Sequence, residues 1–234
     1  MKKIMFNDRY GLTEAVLSGR KTMTRRIVPI NLYNQTDWKA VAEGDFEAVV
    51  DGEGDLHDIR ECGMYKKGEV VAVAQKYWDL RNCDSFYKAL EKADPSFPLE
   101  LIEDEKGCCN KMFVKAAWMP HHIRITDIGV ERIQDISDDD CRREGIIHIE
   151  WTQYLEQDWN DFSPQKTKKH DLWTSPKFEE ELINAWEGSS PENFCATDPR
   201  TAFIVLFAKL SKKTPAAMSE LNPWVFVYSF ELID

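Results

Sequence analysis

Four positive charges fall within eight residues at Gly19-Arg20-Lys21-Thr22-Met23-Thr24-Arg25-Arg26. The first thirty residues hold seven Lys or Arg against two acids, whereas the whole chain carries a formal charge of -11. A basic knot on an acidic body suits a local site for an anion or a nucleotide-like ligand. It does not suit a general polyanion binder, which needs broad phosphate neutralisation. Lys21, Arg25 and Arg26 are therefore candidate ligand contacts, with a solvated basic edge as the plain alternative. Thr24, in a segment of extended character, is by itself no more than a good β-former.

A second group stands at Gln75-Lys76-Tyr77-Trp78. Gln75 ends an apolar run, and its amide can both donate to and accept from a base edge. It can equally cap the end of a strand. Tyr77 and Trp78 can stack on a base, as aromatics do in single-strand readers, or they can close the core. The six cysteines (62, 83, 108, 109, 141 and 195) include no C-x-x-C pair. They read as reduced thiols, several of them buried. Cys108-Cys109 with His121-His122 makes poor chelate geometry, and no second pair stands at finger spacing. No metal and no cofactor is expected.

These residues need elements to position them. Ile4-Met5-Phe6 reads as a short strand, with Asp8 as N-cap of the helix that follows. Leu12, Ala15 and Val16 share one helical face, and Gly19 is a natural stop. Lys21 to Val28 reads as extended. Val70 to Ala74, a continuous small apolar run, reads as a buried strand behind a Tyr65-to-Glu69 turn. Met112-Phe113-Val114 opens a further strand group that continues through Ile123 to Thr126 and Val130 to Ile133. Ser137 followed by Asp140 has capping-box form. Phe178, Leu182 and Trp186 mark a helix face closed by Gly188. Asp198-Pro199 opens a helix burying Ala202, Phe203, Leu206, Phe207 and Leu210. Trp224 to Leu232 is the last strand.

A chain of 234 residues allows one elaborated domain. There is no repeat, low-complexity tract or Pro/Ser-rich linker. No apolar run reaches transmembrane length, and the N-terminus lacks the apolar core of a signal peptide. A cytoplasmic location without membrane contact is expected.

Several of these stretches, taken in order, resemble the ASCH domain family of the PUA-like superfamily, in a long form associated with phages. They are the Gly-x-Lys-x-x-Thr-x-Arg element of residues 19–26, the Tyr65-to-Trp78 strand with its Gly-Glu turn, and Met119-Pro120 followed by Arg124. The run Val130 to Ile136 into Glu144-Gly145-Ile146 and the ending Asn222-Pro223-Trp224 complete the set. The resemblance covers about half the chain. It implies an α+β fold: a PUA-like β-barrel of mixed strands with flanking helices. The single domain would have core segments at about 1–30, 65–78, 111–147 and 200–234, with insertions at about 31–64, 79–110 and 148–199.

The resemblance also implies a cleft beside Lys21 that binds RNA or a small nucleotide-like ligand. Some small members resemble amidohydrolases that remove an acyl group from N4-acylated cytidine. By that likeness Thr24 is the nucleophile and Lys21 the base. The enzymatic pattern has an acid where this chain has Gln75, and Gln does not titrate. The reading is therefore a binding module without catalysis, with pocket residues Lys21, Thr24, Arg25, Arg26, Gln75, Tyr77 and Trp78. The alternatives are the amidohydrolase, revived if an acid reaches the same point from elsewhere, and a protein-interaction module of a mobile element acting through the insertions. The pocket reading also predicts that Lys21→Ala leaves thermal stability nearly unchanged.

Overall fold

The run Val70-Val71-Ala72-Val73 is apolar at every position because both of its sides are covered. Val71 and Val73 face the main core, with Ile4, Ile123 and Ile125. Ala72 and Ala74 face a second cluster, with Tyr77, Phe86, Leu90 and Trp118. Side chains alternate across a strand, so one strand serves both cores. The computed structural model describes residues 1–154, 167–177 and 195–233. The expected helix at Phe178, Leu182 and Trp186, and Trp159, lie outside the described residues.

The elements run β1 (Lys3–Ile4), α1 (Leu12–Leu17), β2 (Met23–Ile27), α2 (Ile30–Asn34), α3 (Trp38–Ala42), β3 (Glu47–Val50), β4 (Leu56–Asp58) and β5 (Val70–Val73). There follow α4 (Tyr77–Leu80), α5 (Asp84–Ala93), β6 (His122–Arg132), α6 (Asp138–Arg143), β7 (Ile147–Tyr154) and β8 (Thr167–Thr174). The described chain closes with α7 (Pro199–Leu210), α8 (Pro215–Leu221) and β9 (Trp224–Leu232). The result is an α+β protein with a five-stranded mixed sheet, ordered β1-β5-β6-β9-β2. Only β1 and β5 run parallel within it. Two separate hairpins, β3-β4 and β7-β8, lie outside the sheet.

The expected barrel is not closed by strand pairing among the described residues. β1 is only two residues long, so it offers little edge to pair. What spans the gap to the other edge strand is a side chain: Arg26 Nη2 of β2 donates to the Met5 carbonyl at 2.9 Å.

Local chemistry explains further departures. The cap at the N-terminus is Asn7, whose side chain accepts from the Arg9 N–H and opens a 3-10 turn, Asp8–Tyr10. Gly11 then takes φ +67 and starts α1. Asp8 is engaged elsewhere, by Thr13 and Lys111. Met112-Phe113-Val114 is not a strand. Lys111–Phe113 is a 3-10 turn capped by Asn110, a local side-chain bond that competes with strand formation. β6 absorbs the two expected strands in one, with a bulge between Ile125 and Asp127. Segment 31–64 is no outlying excursion, because Leu32, Val41, Val49 and Ile59 join the main core.

Other expectations hold. Gly19 takes φ +73 after α1. Ser137 caps α6 by accepting from the Asp140 N–H, and Asp198 caps α7 with Pro199 in its first turn. Trp224 is buried and stacks on Trp38, with ring centroids 4.9 Å apart.

Candidate functional site

Among the described residues β2 is an edge strand, paired only with β9. Thr24 stands opposite Tyr228 and Arg25 opposite Val227. Beside the free edge opens a cleft of about 640 Å³. Its floor holds Lys21, Thr24, Arg25 and Glu144, its rim Met5, Arg9, Arg26 and Ile27, and one wall Phe203, Leu206, Phe207 and Leu210 of α7. A volume of this order lies within the range of about 300–1,000 Å³ common for small-molecule sites.

Lys21 reaches the floor because the chain doubles back after α1. Gly19 turns it, and the Lys21 N–H donates to the Ala15 carbonyl at 2.8 Å. The ammonium then meets Glu144, just beyond α6. Lys21 Nζ donates to Glu144 Oε2 at 2.5 Å and to the Glu144 carbonyl at 2.7 Å. Gly145 follows with φ +100, a conformation that glycine takes without a Cβ penalty. A Cβ there would already touch Leu12, Ala15 and Lys21.

Arg25 is enclosed by three carboxylates. Its Nη2 lies 2.7 Å from Glu131 Oε1 and 3.2 Å from Asp140 Oδ2, and its Nη1 lies 3.1 Å from Glu144 Oε1. Its guanidinium also sits 5.8 Å from the Phe203 ring centroid. Lys21, at 2 % exposure, and Arg25 are both buried. Buried charges need such partners, since a lone ion away from water is costly.

Burial moves the protonation equilibria here. Loss of solvent pulls the Lys21 pKa below the ordinary lysine value; Glu144 opposes this, and Arg26 and Arg25 reinforce it. Arg25 is disfavoured by burial, but Glu144 and Glu131 outweigh that and raise its pKa. Burial raises the Glu131 carboxyl against the pull of Arg25. It also pushes the neighbouring Cys141 thiol up to about 12.

The structure brings Lys21, Thr24, Arg25 and Arg26 to one cleft and leaves the other three candidates out of its lining. Tyr77 is no stacking face. It is 2 % exposed, packs on Phe86 and Trp118, and its hydroxyl accepts the Lys115 N–H at 2.8 Å. Trp78 is 49 % exposed and carries the Arg81 guanidinium 4.0 Å above its ring. Gln75 donates its backbone N–H to Met119 Sδ, and its side-chain oxygen is buried without a partner among the described residues. Lys21 is also no surface lysine that can be trimmed at little cost, because its ammonium is buried on a carboxylate.

Sequence reasoning missed Glu131, Asp140 and Glu144 as site residues. The available signal was the need for counter-charges, since two cations flanking Thr24 on a buried segment require acids from elsewhere. It also missed Leu210, which lies at the cleft rim and is 39 % exposed where burial was expected.

Comparison with protein families, with curated proteins and with solved structures finds no match. Among the described residues, no group of three or more His, Cys, Asp or Glu side chains is arranged to hold a metal ion. No helix among them is long and apolar enough to cross a membrane.

Proposed function

We propose that this chain is an ASCH-type protein of PUA-like architecture whose cleft binds RNA or a small nucleotide-like ligand. The observation that carries the reading is the cleft itself, an apolar-walled cavity whose floor is the Lys21–Thr24 element. Sites of this make-up, apolar walls with a few fixed polar groups, suit a ring system with hydrogen-bonding edges. The bond from Arg26 of one edge strand to the Met5 backbone beside the other supports the pseudo-barrel reading.

A second reading has a specific observation in its favour. Glu144 puts an acid on Lys21, so the absence of an acid at Gln75 no longer argues against amidohydrolysis of an N4-acylated cytidine. In that chemistry the Thr24 hydroxyl attacks the acyl carbonyl and gives its proton to an uncharged Lys21. The proton passes to the leaving amine as the C–N bond breaks, and water then hydrolyses the threonyl ester. Burial favours the uncharged lysine, and the Glu144 carboxylate disfavours it.

The test is incubation with N4-acetylcytidine, with products followed by chromatography and unfolding followed by calorimetry, beside a Thr24→Val control. Release of cytidine that disappears in the control establishes the enzyme. A raised unfolding temperature without release supports the binding module. Neither effect removes this ligand class.

A further inference from the structure

The charges of the cleft are unevenly matched, and the pattern selects among ligands. On the floor, Lys21 and Arg25 face Glu131, Asp140 and Glu144. Two cations against three carboxylates leave no positive charge for an incoming anion. A phosphate pushed to the floor would meet the Glu144 carboxylate and two cations already matched. Farther out, Lys111 is matched by Asp8. At the rim the balance reverses. Arg9 and Arg26 both line the cleft, both are exposed, and neither has a carboxylate at ion-pair distance among the described residues. Among the described residues Arg26 makes one side-chain hydrogen bond, from one N–H to the Met5 carbonyl, and its other donors have no partner there.

The edge of β2 supplies the complement for an uncharged head group. The Phe230 N–H donates to the Thr22 carbonyl and the Val28 N–H to the Trp224 carbonyl. Antiparallel pairing alternates, so the backbone N–H and C=O of Met23, Arg25 and Ile27 point away from β9 to the free edge. Arg25 and Ile27 line the cleft. Donor and acceptor alternate along such an edge, as they do along the edge of a nucleobase.

We infer that the cleft accepts a single nucleotide bearing one phosphate, with its uncharged base inside against β2 and α7 and its phosphate at the rim between Arg9 and Arg26. This rests on the nucleotide-like reading above and narrows it. A bare nucleoside leaves the two arginines unused. A polynucleotide or a triphosphate presents more negative charge than two arginines match, on a chain that is acidic overall.

The experiment is calorimetric titration of the intact chain with the four ribonucleosides, their 5′-monophosphates and their 5′-triphosphates, at low and moderate salt. One monophosphate is expected to bind at least tenfold more tightly than its nucleoside, and no more weakly than its triphosphate. Arg9→Gln, with an unchanged unfolding temperature, and Arg26→Gln, which also gives up the bond to the Met5 carbonyl and is titrated well below its unfolding temperature, are expected each to lower that tenfold advantage. Equal affinity for nucleoside and monophosphate overturns the inference and leaves the nucleotide-like reading standing. A triphosphate preference likewise overturns it. No binding by any of the twelve compounds overturns both. An advantage that survives the double variant places the phosphate elsewhere and also overturns the inference.

Discussion

Lys21 Nζ lies 2.5 Å from Glu144 Oε2, across 123 positions of sequence, and both side chains are almost wholly buried. The contact joins the chain's basic element to the end of α6 and fixes the cleft floor. Removing one partner leaves the other charged and short of a counter-ion, which typically costs about 3–5 kcal/mol. Lys21→Met is therefore expected to destabilise strongly, and Glu144→Met likewise. The double variant should lose less than the sum of the two, because neither charge is stranded. Urea unfolding of all four proteins decides this. Additivity to within about 0.5 kcal/mol would mean the two residues act independently.

Lys111 secures the cleft's N-terminal loop. Its ammonium is hydrogen-bonded to the Phe6 carbonyl, to Asp8 Oδ1 at 2.7 Å and to Thr13 Oγ1 at 3.1 Å. Burial works to raise the Asp8 pKa, but the bonds from Lys111 and Thr13 outweigh it and leave it below its ordinary 3.8. A carboxyl with a lowered folded pKa stabilises fully above its unfolded value and loses that contribution as pH falls through the folded one. Lys111→Met is expected to cost about 2 kcal/mol at neutral pH, the scale of a charge-assisted hydrogen bond. The gap to the parent protein should narrow below pH 3.8. A gap that stays constant with pH would show that the Asp8 charge contributes nothing.

Tyr77 and Trp78 are adjacent in sequence but differ in role. Tyr77→Phe leaves the Lys115 N–H without its acceptor and should cost about 1–2 kcal/mol. Trp78→Ala removes an exposed ring and should change stability by no more than about 0.5 kcal/mol. Neither change should alter the rise in unfolding temperature produced by a nucleotide. A ligand shift that vanished with Trp78 would relocate the site to the second cluster.

Gly107 carries the Tyr77 ring directly against its backbone, and a Cβ there would run into the ring. Its carbonyl also accepts the Tyr77 N–H at 3.1 Å. Gly107→Ala should cost about 1–3 kcal/mol, the range for overpacking a filled core. Differential scanning calorimetry checks it, and an unchanged melting temperature would show that the ring moves freely.

Much of this arrangement is legible in the sequence where the cause is local. Gly19 marks a helix end, Ser137 and Asp198 mark helix starts, and the Val70 run marks a strand covered on both sides. The Lys21-to-Arg26 element was found by its charge and spacing, and four of its residues do line one cleft. What was not legible depends on long-range contact. Nothing near Lys21 in sequence announces Glu144, and nothing near Tyr77 announces Phe86, Trp118 and the pocket they make for its ring. Asp8 shows the same limit on a smaller scale. Its type suits a helix cap, but a lysine 103 positions away claims it first.

The place of β9 in the sheet bears on how the protein is born. It is the last of the five strands along the chain, yet it lies between β6 and β2. As the polypeptide leaves the ribosome, β2 therefore has no neighbour to pair with until nearly all the described residues have been made. A nascent chain halted before Trp224 would thus carry every residue of the cleft floor without the strand pairing that holds β2 in the sheet.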